Sequence, residues 1–371
     1  MRIAILGIRG IPAKYGGFET NAEITARMLA EKGHDVTVYC RGKKAGRPSE
    51  WQGVKLVYLR SIEKKSLSTI THSALSAIHS IFKGYDVIHL YNVGNSCLLP
   101  IFRLFGKKVV ISVDGVEWRR KKFSAFGSLF MRTSERFAVW FSNRIIVDSR
   151  KVGEYYLEHY RANSTYIPYG SNIPAEPVST GILDNLGLSP KKYLLFVGRF
   201  IPEKGVDKLL ETYTKIHTDM PLVVVGDNPY DRGYVERLKS MAPPNAVFPG
   251  AIYGDPIIEL YANSYLFVSP SELEGTSPAL LEAMGAGTCV VVNGIPEQLE
   301  TIGDAGVHYK YNDLDDLANK LQEIIDNPEL RDEYGSKARK RVAECYRWDV
   351  VFNEYEKLLI EISEGKKSLS N

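Results

Sequence analysis

Two stretches of the chain place cations and carboxylates at spacings that suit a diphosphate and a sugar. The first reads Gly198-Arg199-Phe200-Ile201-Pro202-Glu203-Lys204-Gly205. Arg199 can fork across phosphate oxygens, and Lys204 can act as a point charge on the same group. The second reads Pro270-Ser271-Glu272-Leu273-Glu274-Gly275-Thr276-Ser277-Pro278 and continues through Glu282 to Gly287, so Glu274 and Glu282 stand eight positions apart. Gly275, Thr276 and Ser277 open a helix whose first turn can offer amides and hydroxyls to a phosphate, while Glu282, two turns along, can accept hydrogen bonds from ribose hydroxyls. Nearer the start, Gly16 and Gly17 precede a helix and offer bare amides to a phosphate or sugar oxygen, although a glycine pair is as often only a turn. The opening Gly7-Ile8-Arg9-Gly10-Ile11-Pro12 departs from G-x-G-x-x-G, and the strand ending at Tyr39 is followed by Cys40 and Arg41 in place of a ribose-binding acid. Both features argue against a nicotinamide enzyme.

Asp114 opens Asp114-Gly115-Val116-Glu117-Trp118-Arg119-Arg120-Lys121-Lys122 after an apolar run. Its carboxylate could orient a sugar or accept from an acceptor hydroxyl, yet Asp before Gly at a strand end is also a common turn former. Glu117, Trp118 and the four cations are candidates for acceptor or membrane contact. Phe123, Phe126, Leu129, Phe130 and Met131 follow them, a basic and aromatic stretch suited to an anionic interface. The competing expectation is an aromatic stripe packed in the core with solvated cations. His89 and Asn95 are expected to pack, and Trp348 to anchor a terminal helix. The run Asp313-Leu314-Asp315-Asp316 sits where a helix should start, so its charges are expected to serve the helix dipole and no metal site is expected.

The elements needed to hold these residues alternate in β-α order, the pattern of a parallel sheet. Arg2–Leu6, Asp35–Tyr39, Val54–Leu59, Val87–Leu90, Lys108–Val113 and Arg144–Val147 read as strands, with a helix over Glu19–Lys32. A second series has strands Tyr193–Val197, Leu222–Val225, Ala246–Phe248, Leu266–Val268 and Cys289–Val292. Helices follow over Asp315–Ile325, Pro328–Cys345 and Trp348–Ile362. Between the series, prolines and glycines interrupt the periodicity. The expected division is a Rossmann-like domain over 1–168, a linker over 169–190, a second Rossmann-like domain over 191–345, and a C-terminal helix and tail over 346–371 crossing back to the first.

A length of 371 residues exceeds one ordinary core and accommodates that plan. No secretory leader or run of eighteen apolar residues is read, and Cys40, Cys97, Cys289 and Cys345 stand singly, which suits a reducing cytoplasm. Residues 1–165 hold 27 Lys+Arg against 13 Asp+Glu, a net of +14, and the remainder 20 against 31, a net of −11. That division points the first half toward an anionic surface or ligand, here a membrane and not a nucleic acid. A peripheral position on the inner face of the cell membrane is expected.

The two donor stretches resemble the G-R-x-x-x-x-K-G and E-G-x-x-x-x-x-x-E motifs of glycosyltransferase family 4, and the wider pattern covers nearly the whole chain. The resemblance implies an α/β GT-B fold, two Rossmann-like domains with parallel sheets facing across a cleft, and retaining transfer from a nucleotide-diphosphate sugar without a metal or other cofactor. It implies that Arg199 and Lys204 hold the diphosphate, Glu274 contacts the transferred sugar, the backbone of Gly275, Thr276 and Ser277 supports the diphosphate, and Glu282 binds the ribose or deoxyribose. Gly16 and Gly17 would approach the donor phosphate from the opposite domain. Asp114 stands where relatives often have histidine. Together with G-I-R-G-I-P-A-x-Y-G-G-F-E-T, the D-G-x-E-W segment is similar to bacterial rhamnosyltransferases of capsule and cell-wall polysaccharide assembly. That implies dTDP-L-rhamnose as donor and a lipid-diphosphate-linked saccharide as acceptor. A UDP-sugar donor, or a sugar-nucleotide 2-epimerase of the same architecture, are the alternatives.

Overall fold

The computed structural model describes residues 1–13, 16–62, 67–115, 118, 125–175 and 178–365. The chain forms two compact units, one of Met1–Pro168 with Asp349–Asn371, the other of Tyr169–Trp348.

In the first unit the strands are β1 (Arg2–Leu6), β2 (Asp35–Arg41), β3 (Glu50–Trp51), β4 (Val54–Leu59), β5 (Val87–Tyr91), β6 (Val109–Val113), β7 (Arg144–Val147) and β8 (Thr165–Tyr166). They lie in the order β3-β4-β2-β1-β5-β6-β7-β8, with β3 antiparallel to β4 and the other pairs parallel. β1, β5 and β6 are buried along their length apart from Arg2, as expected of parallel strands covered on both faces. One face is covered by the helix Gly17–Glu31, through Ala22, Ala26 and Leu29, and by the helix Trp348–Ser363, through Val351, Phe352, Tyr355, Leu358, Leu359 and Ile362. On the other face, Ala77, Phe102, Ala138 and Tyr156 enter the core from the helices Leu67–Ile81, Leu99–Leu104, Ala125–Phe141 and Arg150–Tyr160.

The second unit has β9 (Leu194–Val197), β10 (Leu222–Val225), β11 (Val247–Gly250), β12 (Leu266–Ser269), β13 (Cys289–Asn293) and β14 (Val307–Tyr309), in the order β11-β10-β9-β12-β13-β14 and all parallel. Without the short additions β3 and β8, the first sheet has the same order. In both, the direction of winding reverses beside the first strand, and open α/β sheets bind ligands at that point, outside the carboxyl ends of the strands.

The stretch 169–190, expected as a linker, is part of the second unit. Ser171 N–H donates to the Tyr346 carbonyl at 2.7 Å, and the short helix Gly181–Leu186 buries Leu183. A Cβ on Gly170 would lie 2.5 Å from the Trp348 ring. Tyr169, Ser171, Leu183 and Leu188 are buried, and the second unit begins at Tyr169. Trp348 closes the second unit, while the rest of its helix belongs to the first.

Candidate functional site

β9 and β12 pair beside the winding reversal of the second sheet, and each donor motif follows one of them. The first motif leaves β9 at Gly198, whose N–H donates to the Val225 carbonyl at 3.0 Å. Phe200 turns into the core and Arg199 stays half-buried at the carboxyl edge. A 3-10 turn over Pro202–Lys204 then ends at Gly205, with φ of 65°. There a Cβ would lie 2.5 Å from the Pro270 carbonyl oxygen, so only glycine allows the two motif loops to touch. Gly226, at the end of β10, is under a similar constraint: its Cβ would fall 1.9 Å from the Gly198 oxygen.

The loops are joined by polar contacts as well. Glu272 N–H donates to the Glu203 carbonyl at 2.9 Å, and Lys208 pairs with Glu272 at 2.6 Å. Lys204 Nζ donates to Glu274 Oε1, with both side chains largely buried. The structure thus brings Lys204 and Glu274 into direct contact. An ammonium that gives one N–H to a carboxylate keeps two further N–H donors for another oxyanion. The Lys208–Glu272 pair was not singled out from sequence; Glu272 was legible inside the second motif, but nothing in the spacing connected it to Lys208.

Gly275, Thr276 and Ser277 are buried where this loop enters the helix Pro278–Gly285, and the Ser277 side chain makes no capping bond to the first turn. Glu282 lies on that helix. Burial pushes its carboxyl up to about 7, with the Tyr261 hydroxyl acting in the opposite direction. A carboxyl raised this far by burial is a candidate for a functional group.

In the first unit the same carboxyl edge carries the remaining candidates. Gly16 is the extended N-cap of Gly17–Glu31. Its surroundings are already anionic: the buried Glu19 carboxylate accepts the Arg9 N–H at 3.1 Å, and its other oxygen lies 3.5 Å from where a Gly16 Cβ would be. Glu23 accepts from the Ala13 N–H. The start of this helix therefore carries two carboxylates of its own beside the glycine pair.

Asp114 follows β6, and the chain bends at Gly115, which takes a φ of 60°. Trp118 is packed: its Nε1–H donates to Tyr155 Oη at 3.0 Å and the Arg132 guanidinium lies 4.0 Å from its ring centroid. The Tyr155 and Tyr160 hydroxyls in turn donate to the buried Glu135 at 2.9 and 2.6 Å. Sequence reasoning missed this network, because its members are scattered over forty residues with no motif. Glu117 and the cations Arg119, Arg120, Lys121 and Lys122 lie outside the described residues.

His89 is buried between the Tyr355 hydroxyl and Ser112 Oγ, 2.7 Å from each, and burial lowers its pKa to about 3, so it packs as a neutral ring. Asn95 is buried too and donates to the Tyr91 carbonyl at 2.8 Å. Asp313 caps the helix Leu314–Asp326 by accepting the Asp316 N–H at 3.0 Å, and Asp315 pairs with Lys215 at 2.9 Å. Among the described residues, no three His, Cys, Asp or Glu side chains cluster as a metal site would require, and no helix is long and apolar enough to cross a membrane.

Comparison with known proteins adds two family matches. Residues 15–173 match the model described as Glycosyltransferase Family 4, and residues 183–341 match Glycosyl transferases group 1. Among curated proteins, an uncharacterized glycosyltransferase of Methanocaldococcus jannaschii is 24% identical over 95% of this chain and 96% of its own length. Sulfoquinovosyl transferase of Arabidopsis thaliana is 33% identical over 44% of this chain. A capsular polysaccharide biosynthesis glycosyltransferase of Staphylococcus aureus is 27% identical over 50% of this chain. The aligned part spans 32% of the plant protein and 53% of the staphylococcal one. Among solved structures, sucrose-phosphate synthase of Thermosynechococcus elongatus superposes with a TM-score of 0.86 at 22% identity, covering 98% of this chain and all of that one. The Anabaena protein HepE in complex with UDP-glucose gives 0.80 at 17%, covering 97% of this chain and 100% of that one. At these identities the likeness is one of fold, the GT-B architecture.

Proposed function

The chain belongs to glycosyltransferase family 4, and from that premise we propose that it transfers a sugar, with retention of configuration and without a metal, from a nucleotide-diphosphate donor to a saccharide carried on a lipid diphosphate in polysaccharide assembly. The observation that carries the reading is the joining of two loops at the winding reversal of one sheet, which sets Lys204 against Glu274 with Arg199 on the same edge.

In this reading the bond from the anomeric carbon to the leaving phosphate oxygen breaks as the acceptor oxygen bonds the same face of that carbon. The leaving phosphate takes the acceptor proton. Arg199 and Lys204 stabilise the charge that grows on the diphosphate, and fixed charges of this kind supply the largest share of catalysis in many enzymes. Glu274 holds the Lys204 ammonium and meets the sugar hydroxyls; Gly275, Thr276 and Ser277 offer backbone and hydroxyl donors; Glu282 accepts from the ribose. In the first unit, Asp114 offers a carboxylate to a sugar or acceptor hydroxyl, and Gly16 and Gly17 offer backbone amides.

The donor we assign is dTDP-L-rhamnose, on the resemblance of the Asp114–Trp118 and opening segments to bacterial rhamnosyltransferases. A UDP-sugar is the second reading, supported by the shared fold of a protein solved with UDP-glucose. Incubation with a panel of nucleotide sugars and undecaprenyl-diphosphate-linked saccharides should give a glycolipid one deoxyhexose heavier, and only when the acceptor is present. Isomerised nucleotide sugar formed from donor alone, or no product with any donor, would overturn the proposal.

A further inference from the structure

The helix Leu67–Ile81 is amphipathic in the reverse sense. Its inward side carries His72, Ser73, Ser76, Ala77 and Ser80, all fully or almost fully buried, whereas Leu75, Ile78 and, just beyond the helix, Phe82 face outward, Phe82 at 73% exposure. A helix that meets water on its outer side places these residue types the other way round.

The neighbouring helices extend the apolar surface. Leu99–Leu104 packs beside this helix and runs out through Leu104, 82% exposed, to Phe105. The Phe105 ring meets Phe82 edge to face, with centroids 6.1 Å apart. Ala125–Phe141, packed against Leu99–Leu104, exposes Phe126, Leu129 and Trp140 along a line it shares with Arg132 and Arg136. Large apolar side chains exposed together on neighbouring helices are a mark of interaction sites.

Charge decides what covers it. Lys83 and Arg103 are exposed next to the Phe82–Phe105 pair, and Lys107 Nζ reaches the Lys83 carbonyl at 2.8 Å. From Leu67 to Val113 the sequence has one acid, Asp86, whose carboxylate accepts the Arg2 N–H at 2.7 Å; Ala125–Phe141 has one, the buried Glu135. A twofold contact with a second copy would set Lys83, Arg103 and Lys107 against themselves, with Asp86, already held by the Arg2 N–H, as the one exposed carboxylate of these segments to meet them. Aromatic and aliphatic side chains interleaved with Lys and Arg, with a single surface acid among them, match the boundary between lipid headgroups and acyl chains.

We propose that the face formed by Leu67–Phe82, Leu99–Phe105 and Ala125–Phe141 docks on an anionic lipid bilayer, with Phe82, Leu104, Phe105 and Phe126 entering the headgroup region and Lys83, Arg103 and Lys107 meeting lipid phosphates. This deepens the proposed function, since a lipid-linked acceptor is met at a membrane, and it places the contact largely outside the Arg119–Lys122 stretch that the sequence favoured. Its test reads binding, not transfer, so either proposal can fail alone.

The experiment is flotation of the full chain with phosphatidylcholine vesicles, with and without phosphatidylglycerol, at low and high salt. Binding should need the anionic lipid and weaken with salt. Phe82→Ser with Phe105→Ser, and separately Lys83→Glu with Arg103→Glu, should each lower partitioning by about tenfold or more, because each removes at least two contacts of the kind that hold interfacial segments. Circular dichroism and nucleoside-diphosphate binding confirm that each variant is folded. Equal recovery with neutral vesicles, no recovery with either, or folded variants that float as well as the parent would overturn the proposal. So would a concentration-dependent dimer in sedimentation that the Phe82→Ser/Phe105→Ser variant abolishes.

Discussion

In its proposed role Glu282 should couple nucleotide binding to a single proton, and replacing it with Gln should uncouple the two. Burial raises its carboxyl from 4.5 to about 7. A ribose held through donated hydroxyl hydrogens favours the carboxylate, so binding at pH 6 must first expel a proton that is absent at pH 8. That difference lowers affinity about tenfold across the interval, roughly 1.4 kcal/mol per unit of pH below the titration point. Glu282→Gln keeps an acceptor oxygen without the charge, and should weaken binding at pH 8 by about 1–3 kcal/mol. Stability moves the other way. Because the folded protein holds this proton more tightly than the unfolded chain, the contribution is complete below about pH 4.5 and is lost as pH rises through about 7, up to about 3 kcal/mol in all. The Gln variant should therefore melt higher than the parent at pH 8 while binding nucleotide less well. Calorimetric titration with the nucleoside diphosphate, parent against variant in the same buffers from pH 6 to 8.5, cancels the titration of the ligand phosphate. Parallel affinity profiles for the two proteins would refute the assigned role of Glu282.

Other consequences of the site are equally specific. Arg199→Ala or Lys204→Ala should each reduce turnover on the order of a hundredfold by removing one charge from the leaving diphosphate, and near-normal steady-state rates in both would contradict the assignment. Transfer should persist in EDTA, since side chains and backbone donors meet the diphosphate; complete loss restored by a divalent cation would show otherwise. Gly205→Ala places a methyl 2.5 Å from the Pro270 oxygen at a φ of 65°, so donor affinity should drop severely while the far-ultraviolet spectrum stays native. Unchanged affinity would show that the two loops need not touch.

Much of the fold was legible because parallel strands buried on both faces are continuous β-branched runs. Leu222–Val225 and Arg144–Val147 are recovered at their observed limits, and Cys289–Val292 lacks only Asn293. β3, β8 and β14 have two or three residues each, too few for alternation to register. Leu67–Ile81 escaped for a different reason: periodicity locates a helix by assuming that its apolar stripe is the buried one, and here Ser and His take the inner side. Composition misled at 169–190, where turn-forming residues disguise a segment held by Leu183, Trp348 and a backbone bond to Tyr346. In the site, residue types and order were readable, but the pairings were not. Lys204 with Glu274 and Lys208 with Glu272 span 70 and 64 positions of sequence and exist only because β9 and β12 are neighbours. Gly16 shows the converse: Glu19, legible in the same segment, places a carboxylate beside the glycine pair.

The central claim, that a donor diphosphate occupies the joined loops after β9 and β12, is tested most directly by a crystal structure with a nucleoside diphosphate bound. The account predicts diphosphate oxygens within hydrogen-bonding distance of both Arg199 and Lys204, the first-turn amides of Pro278–Gly285 directed at the same group, and ribose hydroxyls donating to Glu282. A nucleotide bound away from these residues, or seated here with its ribose turned from Glu282 and its phosphates turned from Lys204, would contradict it.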